Sequence, residues 1–220
     1  MKAPLTAKAW LFDLDGTLVD TAPDLGQAAN HVRKECGLPA LPLVDYRPAA
    51  SSGARGLLKV ALDMEPDHAE FPVRRDSLLA FYRANIAVSS KPFPGISELL
   101  LALRLKNIKW GVVTNKPGWL TQPLLKELGM AEHAASVVSG DSTPNPKPAP
   151  DSLLLACDQI SLKPEDCIYV GDDARDITAA RNAGMPSVAA AWGYIGQTQI
   201  SQWGADIICN SVADLHGLLA

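Results

Sequence analysis

At 220 residues, with 47% hydrophobic and 20% charged side chains, the chain has a globular balance and length for one large domain or a core plus a small second unit. Its formal net charge of -4 excludes a global basic field that would draw nucleic acid or an acidic membrane surface, so an anionic ligand must be met by local positive charge. The four cysteines (Cys36, Cys157, Cys167, Cys209) show no CxxC pair or zinc spacing, which fits reduced, mostly buried thiols in a cytoplasmic setting. No long apolar segment precedes the first strand, which argues against a signal peptide, and no stretch approaches bilayer-spanning length.

Residues 9–14 read as a buried strand that runs into two carboxylates, Asp13 and Asp15, and a turn at Gly16. Side chains of an extended segment repeat every second residue, so the two carboxylates should face the same way. Held together, they ask for a cation, a shared proton, or both. Gly16 can take backbone angles closed to other residues, and the Thr17 hydroxyl can tie the turn down. One carboxylate as nucleophile, its neighbour as proton donor and a divalent metal between them is a workable chemistry; a plain acidic turn is the alternative. A helix follows over 23–36, with Thr21 or Ala22 near its cap, Pro23 in its first turn and Gly37 after its end.

Residues 43–88 carry helical periodicity and no strand pattern, with one helix around Leu57, Leu58 and Leu62 and another around Val73, Leu78 and Tyr82. The Lys91-Pro-Phe-Pro-Gly95 segment punctuates the chain. Beyond it helices over 96–106, 119–128, 150–159 and 177–183 alternate with strands over 108–114, 136–139, 167–171, 187–191 and 205–208. This pattern predicts an α/β fold with a doubly wound, Rossmann-like parallel sheet. The all-helical stretch 22–88 is then an insertion, a small helical cap that splits the core into 1–21 and 89–220.

Ligands of such sheets bind beyond the carboxyl ends of the strands. Three predicted strands deliver polar clusters there: Asp13 and Asp15; Thr114, Asn115 and Lys116; and Asp172 and Asp173. Lys147 lies in Pro-Asn-Pro-Lys-Pro-Ala-Pro (144–150), where flanking prolines limit its freedom. Taken singly, Thr114 reads as a helix cap, Lys147 as a solvated surface lysine, and Asp172 and Asp173 as carboxylates at a helix start. Their order and shared edge favour a single site. In the helical insertion, Ser51-Ser-Gly-Ala-Arg-Gly56 places Arg55 between glycines, where it could grip a carboxylate bidentately. The bland reading of Arg55 is a solvent-facing arginine in a helix-start turn. Asn115 and Lys116 could complete a substrate rim. The four histidines form no metal spacing.

These motifs carry a resemblance. Asp13-Leu-Asp-Gly-Thr17, Thr114 ending a strand, Lys147, and Gly171-Asp-Asp173 followed by Asp176 resemble, in this order, the four signatures of the haloacid dehalogenase superfamily of phosphohydrolases. The resemblance implies an Asp13 nucleophile, Asp15 as general acid/base, and Mg²⁺ held by Asp13, Asp172 and the backbone carbonyl of Asp15. It further implies Thr114 on the phosphoryl oxygens, Lys147 neutralising charge, and Asp173 and Asp176 in support. Asp173 stands where many members have serine. The chain resembles the phosphoglycolate phosphatases foremost. On Ser52-Gly-Ala-Arg55, Trp110 to Pro117, Gly193-Tyr-Ile195 and Trp203-Gly-Ala-Asp206 it also resembles the N-acetylmuramic acid 6-phosphate phosphatases. The implied partner is a small phosphorylated metabolite, handled by a monomer or homodimer.

Three other classes share part of this pattern. A dehalogenase has no use for the second acid, Asp15. A phosphosugar mutase of the β-phosphoglucomutase type shares the motifs. A non-enzymatic phospho-acceptor domain would leave Asp15-Gly16-Thr17 and the helical insertion without a purpose.

Overall fold

The computed structural model describes residues 7–196 and 199–219. Its elements in chain order are β1 (Ala9–Phe12), β2 (Val19–Asp20), α1 (Ala22–Glu35), α2 (Leu43–Tyr46), α3 (Gly53–Leu62), α4 (Phe71–Ala84), β3 (Lys91–Pro92), α5 (Ile96–Leu105), β4 (Lys109–Val113), α6 (Gly118–Glu127), β5 (Ser136–Val138), α7 (Asp151–Ile160), β6 (Cys167–Gly171), α8 (Ala174–Ala183), β7 (Ser187–Ala190), β8 (Ile207–Cys209) and α9 (Val212–His216).

Six strands form one parallel sheet in the order β5-β4-β1-β6-β7-β8. β1 is central, with Leu11 facing Gly111 on one side and Tyr169 on the other. All four β1 residues are fully buried, which fits a strand covered on both faces. The chain winds from β1 out through β4 to β5, then returns to lay β6 against the other edge of β1. The winding direction therefore reverses at β1, and the crevice beyond its carboxyl end is where such sheets bind ligands.

β1 ends at Phe12, two residues before the apolar pattern does. The Asp13 amide still donates to the Val170 carbonyl at 2.9 Å, but the amides of Leu18 and Val19 turn back to the Leu14 carbonyl. A tight turn thus competes with the ladder and wins. The last sheet strand starts at Ile207, after Asp206, whose carboxylate accepts from both the amide and the hydroxyl of Ser187.

The short strands β2 and β3 pair antiparallel where the chain leaves for α1–α4 and returns. Both crossings are fastened by Asp24, a buried carboxylate in the first turn of α1 that accepts from the Ser89 and Ser90 amides and the Ser90 hydroxyl at 2.7–3.0 Å. In α3, Leu57, Leu58 and Ala61 lie on one buried helical face. They join Ala28, Ala29 and Val32 of α1 and Leu78 of α4 in a hydrophobic cluster that continues down to Phe12 and Val170 of the sheet. Each fully buried leucine contributes roughly 1.5–3 kcal/mol, so a charge at Leu58 would break this face. The four cysteines form no disulfide; Cys157 and Cys167 bring their sulfurs to 3.9 Å between α7 and β6. No helix among the described residues is long and apolar enough to cross a membrane.

Candidate active site

At the end of β1, Asp13 meets Lys147, whose Nζ lies 2.9 Å from Asp13 Oδ1 and 2.7 Å from Asp176 Oδ1. The lysine is 4% exposed, which removes the solvated reading of its proline-rich loop. It also donates to the Val113 carbonyl at 3.0 Å and to the Tyr169 hydroxyl at 2.7 Å. Burial alone would strip its charge, but Asp13 and Asp176 outweigh burial and raise its pKa above the ordinary lysine value. Asp176 does two further things: it accepts from Tyr169 at 3.2 Å, and its other oxygen accepts from the Asp173 amide at 3.1 Å at the start of α8. The expected supporting acid therefore aims the lysine and closes the helix start together.

Asp172 is held from two sides, by the Thr17 hydroxyl at 2.8 Å and the Tyr194 amide at 2.7 Å. Gly16 is required here. Its φ is +87°, and a Cβ at this position would sit 2.1 Å from an Asp172 carboxylate oxygen. Thr17 thus ties the turn to the third strand end rather than within itself.

Asp13, Asp172 and Asp176 can each bring one carboxylate oxygen within 4.8 Å of the others. Burial, ahead of the opposing charge of Lys147, pushes the Asp13 carboxyl up to about 7. Burial, and then the charges of Asp13 and Asp176, hold Asp172 well above the usual carboxylate range. Crowded, poorly hydrated carboxylates of this kind are short of positive charge. A hard divalent cation fits them: the donors are oxygens, and Asp13 and Asp172 are not closed off by an ion pair with arginine.

Asp15 turns away from that cluster. Its carboxylate accepts from the Thr21 hydroxyl at 2.6 Å and from Lys116 Nζ at 3.0 Å, and both Asp13 and Asp15 line one cavity. Thr21, at the start of α1, therefore does not cap the helix with its side chain. Burial disfavours the charge on Lys116, yet Asp15 and Tyr82 outweigh it and raise its pKa. The ammonium sits 4.5 Å over the Tyr82 ring.

Thr114 is buried, and its hydroxyl accepts from the Lys116 amide at 3.1 Å while it lines the cavity. Asn115 also lines the cavity, but its amide group is spent on Lys147, accepting from that residue's N–H and donating to its carbonyl, both at 2.9 Å. It orients the lysine's loop instead of offering a free rim. Asp173 caps α8 and forms a two-point pair with Arg175 at 2.8 and 2.9 Å. Burial works against its charge, but Arg175 holds its carboxyl below the usual range.

Arg55 departs from expectation. It is exposed on the first turn of α3, and only its neighbours Ser51, Ser52, Gly53 and Ala54 line the cavity. The helix starts at Gly53, so a residue two positions on is rotated off the face that the turn presents. The cavity is about 310 Å³ and is closed over by Ser51–Ala54 and by Leu78, Leu79 and Tyr82 of α4. Arg175 Nη2 reaches across to the Ser51 carbonyl at 2.7 Å, and Arg83 donates to the Trp119 carbonyl at 3.0 Å, so insertion and core are in contact around the mouth.

Tyr169, Tyr194, Arg175 and Tyr82 were missed by the sequence reading. Tyr169 had a signal, as a hydroxyl in an otherwise apolar buried strand. Tyr194 accepts from the Thr21 and Ala22 amides, donates to Asp20, and lies under Arg47, all contacts that no local pattern encodes.

Comparisons with known proteins identify the family. Residues 10–190 match the family model described as haloacid dehalogenase-like hydrolase. The chain is 39% identical to an N-acetylmuramic acid 6-phosphate phosphatase of Pseudomonas putida, over 96% of both chains. It is 43% identical to a phosphoglycolate phosphatase of Xanthomonas campestris pv. campestris, over 91% of both. The crystal structure of a predicted phosphoglycolate phosphatase from Haemophilus somnus 129pt superposes with a TM-score of 0.87 at 31% identity, covering 98% of this chain and 99% of that one.

Proposed function

The chain belongs to the haloacid dehalogenase-like hydrolases and is a phosphatase, and on that premise we propose that it cleaves a small phosphomonoester bearing a carboxylate, with Asp13 as nucleophile and Mg²⁺ as cofactor. Phosphoglycolate and N-acetylmuramic acid 6-phosphate are the two candidate substrates, since relatives of both names are similar over nearly the whole chain. The observation that carries the reading is the Lys147–Asp13 contact of 2.9 Å inside a cavity at the sheet's reversal point.

An Asp13 oxygen attacks phosphorus, the ester P–O bond breaks, and Asp15 passes a proton to the departing alkoxide. In the second half Asp15 takes a proton from water, the water oxygen attacks phosphorus, and the bond to Asp13 breaks to release phosphate. Two anions must approach for the first step. Lys147 offsets part of that repulsion, and its partners fix it before the ester arrives. The Thr114 hydroxyl and nearby amides supply donors for the charge that develops on the phosphoryl oxygens. Asp13, Asp172 and the Asp15 carbonyl would hold Mg²⁺, whose positive charge would offset the rest of the repulsion. Lys116 keeps Asp15 facing the leaving-group side of the cavity. The helices over 22–88 act as a cap that excludes water.

The test is a screen of wild-type protein and Asp13→Asn against phosphorylated metabolites, with phosphate release as the readout. Release by the wild type alone is expected. Release by both would overturn the nucleophile, and isomerisation of a phosphosugar without release would overturn the reaction class.

A further inference from the structure

Gly193-Tyr194-Ile195, between β7 and β8, takes no part in the chemistry above, yet it is pressed against the metal-ligand end of the site. A Cβ at Gly193 would lie 2.3 Å from Asp172 Cβ and 2.4 Å from the Gly16 carbonyl oxygen, so only glycine lets this backbone come so close. The next amide, that of Tyr194, donates to Asp172 Oδ2 at 2.7 Å, while the Thr17 hydroxyl donates to Oδ1 at 2.8 Å. Each oxygen of the buried Asp172 carboxylate is thus held by one donor and keeps a further lone pair for a cation.

Tyr194 belongs to no helix or strand, so its side chain must fix the amide in place. The hydroxyl accepts from the Thr21 and Ala22 amides at 2.7 and 2.9 Å, where α1 starts, and donates to Asp20 Oδ1 at 2.8 Å on β2. The clasp is closed from the insertion. Arg47 Nη1 donates to the two Asp20 oxygens at 2.9 and 2.8 Å, and its guanidinium lies 4.9 Å over the Tyr194 ring and 5.9 Å over that of Phe93. Fastening the start of α1 needs only the Tyr194 hydroxyl. Spending the amide of the same residue on Asp172 makes the position of the metal ligand depend on how the insertion is seated.

We propose that Tyr194 is a positioning residue for Asp172, and that Asp20 and Arg47 set its place, so that the seating of the insertion is felt in the affinity for a divalent cation. The proposal rests on the metal part of the phosphatase reading above. Arg47 and Asp20 hold the phenol, the phenol holds the Tyr194 peptide, and the N–H of that peptide aims Asp172. Partners of this outer kind change metal affinity by about 10- to 100-fold. Coupling of this sort is reciprocal, so a bound cation should steady the Arg47 contact in return.

The experiment titrates the free protein with Mg²⁺ by calorimetry, for wild type, Tyr194→Phe and Arg47→Met, beside thermal melting and hydrolysis of phenyl phosphate at low and at saturating Mg²⁺. Tyr194→Phe is expected to bind Mg²⁺ about tenfold more weakly and Arg47→Met about fivefold, although Arg47 bonds Asp20 and does not line the cavity. Saturating Mg²⁺ is expected to restore kcat to within about twofold of wild type in both variants. An affinity within about twofold of wild type in both would make Tyr194 a structural anchor only and overturn the proposal, whatever the melting temperature does. A loss of kcat that saturating Mg²⁺ leaves in place would do the same. Where Tyr194→Phe fails to fold, Arg47→Met decides by the same criteria, its side chain being partly exposed. A wild type that binds Mg²⁺ but hydrolyses no ester would sink the phosphatase reading while the affinities still decide this proposal, and one that binds no Mg²⁺ overturns it.

Discussion

The floor of the cavity and its roof are built on opposite principles. On the floor, Lys147 has four polar partners, Asp172 is gripped from both sides, and Asp176 serves three donors. On the roof, the insertion lines the cavity with Ala50, Ala54, Leu78, Leu79 and Tyr82 beside Ser51 and Ser52, a largely apolar set. The floor groups are spent on one another, so their geometry is fixed before any ligand binds. The roof carries no charged side chain of the insertion, so it shapes the space for a leaving group without fixing charge there. Phosphoryl transfer needs preorganised charge, whereas selectivity needs groups that only the right substrate satisfies. Sites of the first kind should be fragile to substitution whatever the ester, and sites of the second kind fragile only toward particular esters.

The hardest blow to the floor is Asp13→Asn. Expected is a loss of more than about a thousandfold in kcat on every ester, with the fold retained in circular dichroism. Residual turnover above trace level would move the nucleophile elsewhere. Next is Lys147→Met, which strands Asp13 and Asp176 in a buried site. Stability should drop by about 3–5 kcal/mol in a denaturant titration, and kcat by about a hundredfold. An unaltered midpoint would mean that the lysine is dispensable to the floor.

The pH dependence of metal binding sharpens the same contrast. Asp13 holds its proton up to about 7 in the metal-free folded protein, against an ordinary value of 3.8. Between those two values the folded state carries more protons at this carboxyl than the unfolded state, so its contribution to stability falls as pH rises through that window. Mg²⁺ must displace the proton. Its affinity by calorimetry should therefore rise at least about tenfold per pH unit toward pH 7, more steeply where Asp172 must also lose its proton, and the melting-temperature gain from Mg²⁺ should widen in parallel. A flat affinity from pH 5.5 to 7.5 would remove Asp13 from the metal site.

Legibility in the sequence follows the same division. Alternating apolar runs gave the parallel sheet, and strand ends gave Asp13, Asp15, Thr114 and Asp172, because strand periodicity and the winding rule are local signals with long-range consequences. Lys147 was readable only through its place in a proline-rich loop, and its burial was not, since the partners Tyr169 and Asp176 lie 22 and 29 residues away. Tyr82 and Arg175 were invisible as site residues. A helical tyrosine reads as core, and an arginine three residues after Asp172 reads as surface. What turns them into site residues is how the insertion folds back onto the core, which no local pattern states. The antiparallel pair of β2 and β3 escaped for a similar reason, being two residues on each side and separated by the whole insertion.

Arg55 gives the smallest expected effect and the cleanest boundary between floor and roof. Its glycine flanks suggested a carboxylate clamp, but it is exposed beside the cavity while Ser51 to Ala54 face inward. An exposed guanidinium without a fixed partner contributes little binding energy and acts mainly through the general field, which salt screens. Arg55→Ala should therefore change kcat/KM by no more than about two- to threefold on phosphoglycolate and N-acetylmuramic acid 6-phosphate, a difference of less than about 0.7 kcal/mol, and less still at high ionic strength. The cationic residues that line the cavity are Lys116, Lys147 and Arg175, all from the core, and Lys116 lies beside Asp15, so the substrate's carboxylate should be felt at Lys116 or Arg175 first. Steady-state kinetics of Arg55→Ala beside Lys116→Ala on both acids decides the matter. A loss above tenfold for Arg55→Ala, confined to carboxylate-bearing esters, would show that the insertion rearranges on binding and swings α3 inward. The roof would then be assembled by the ligand rather than present before it.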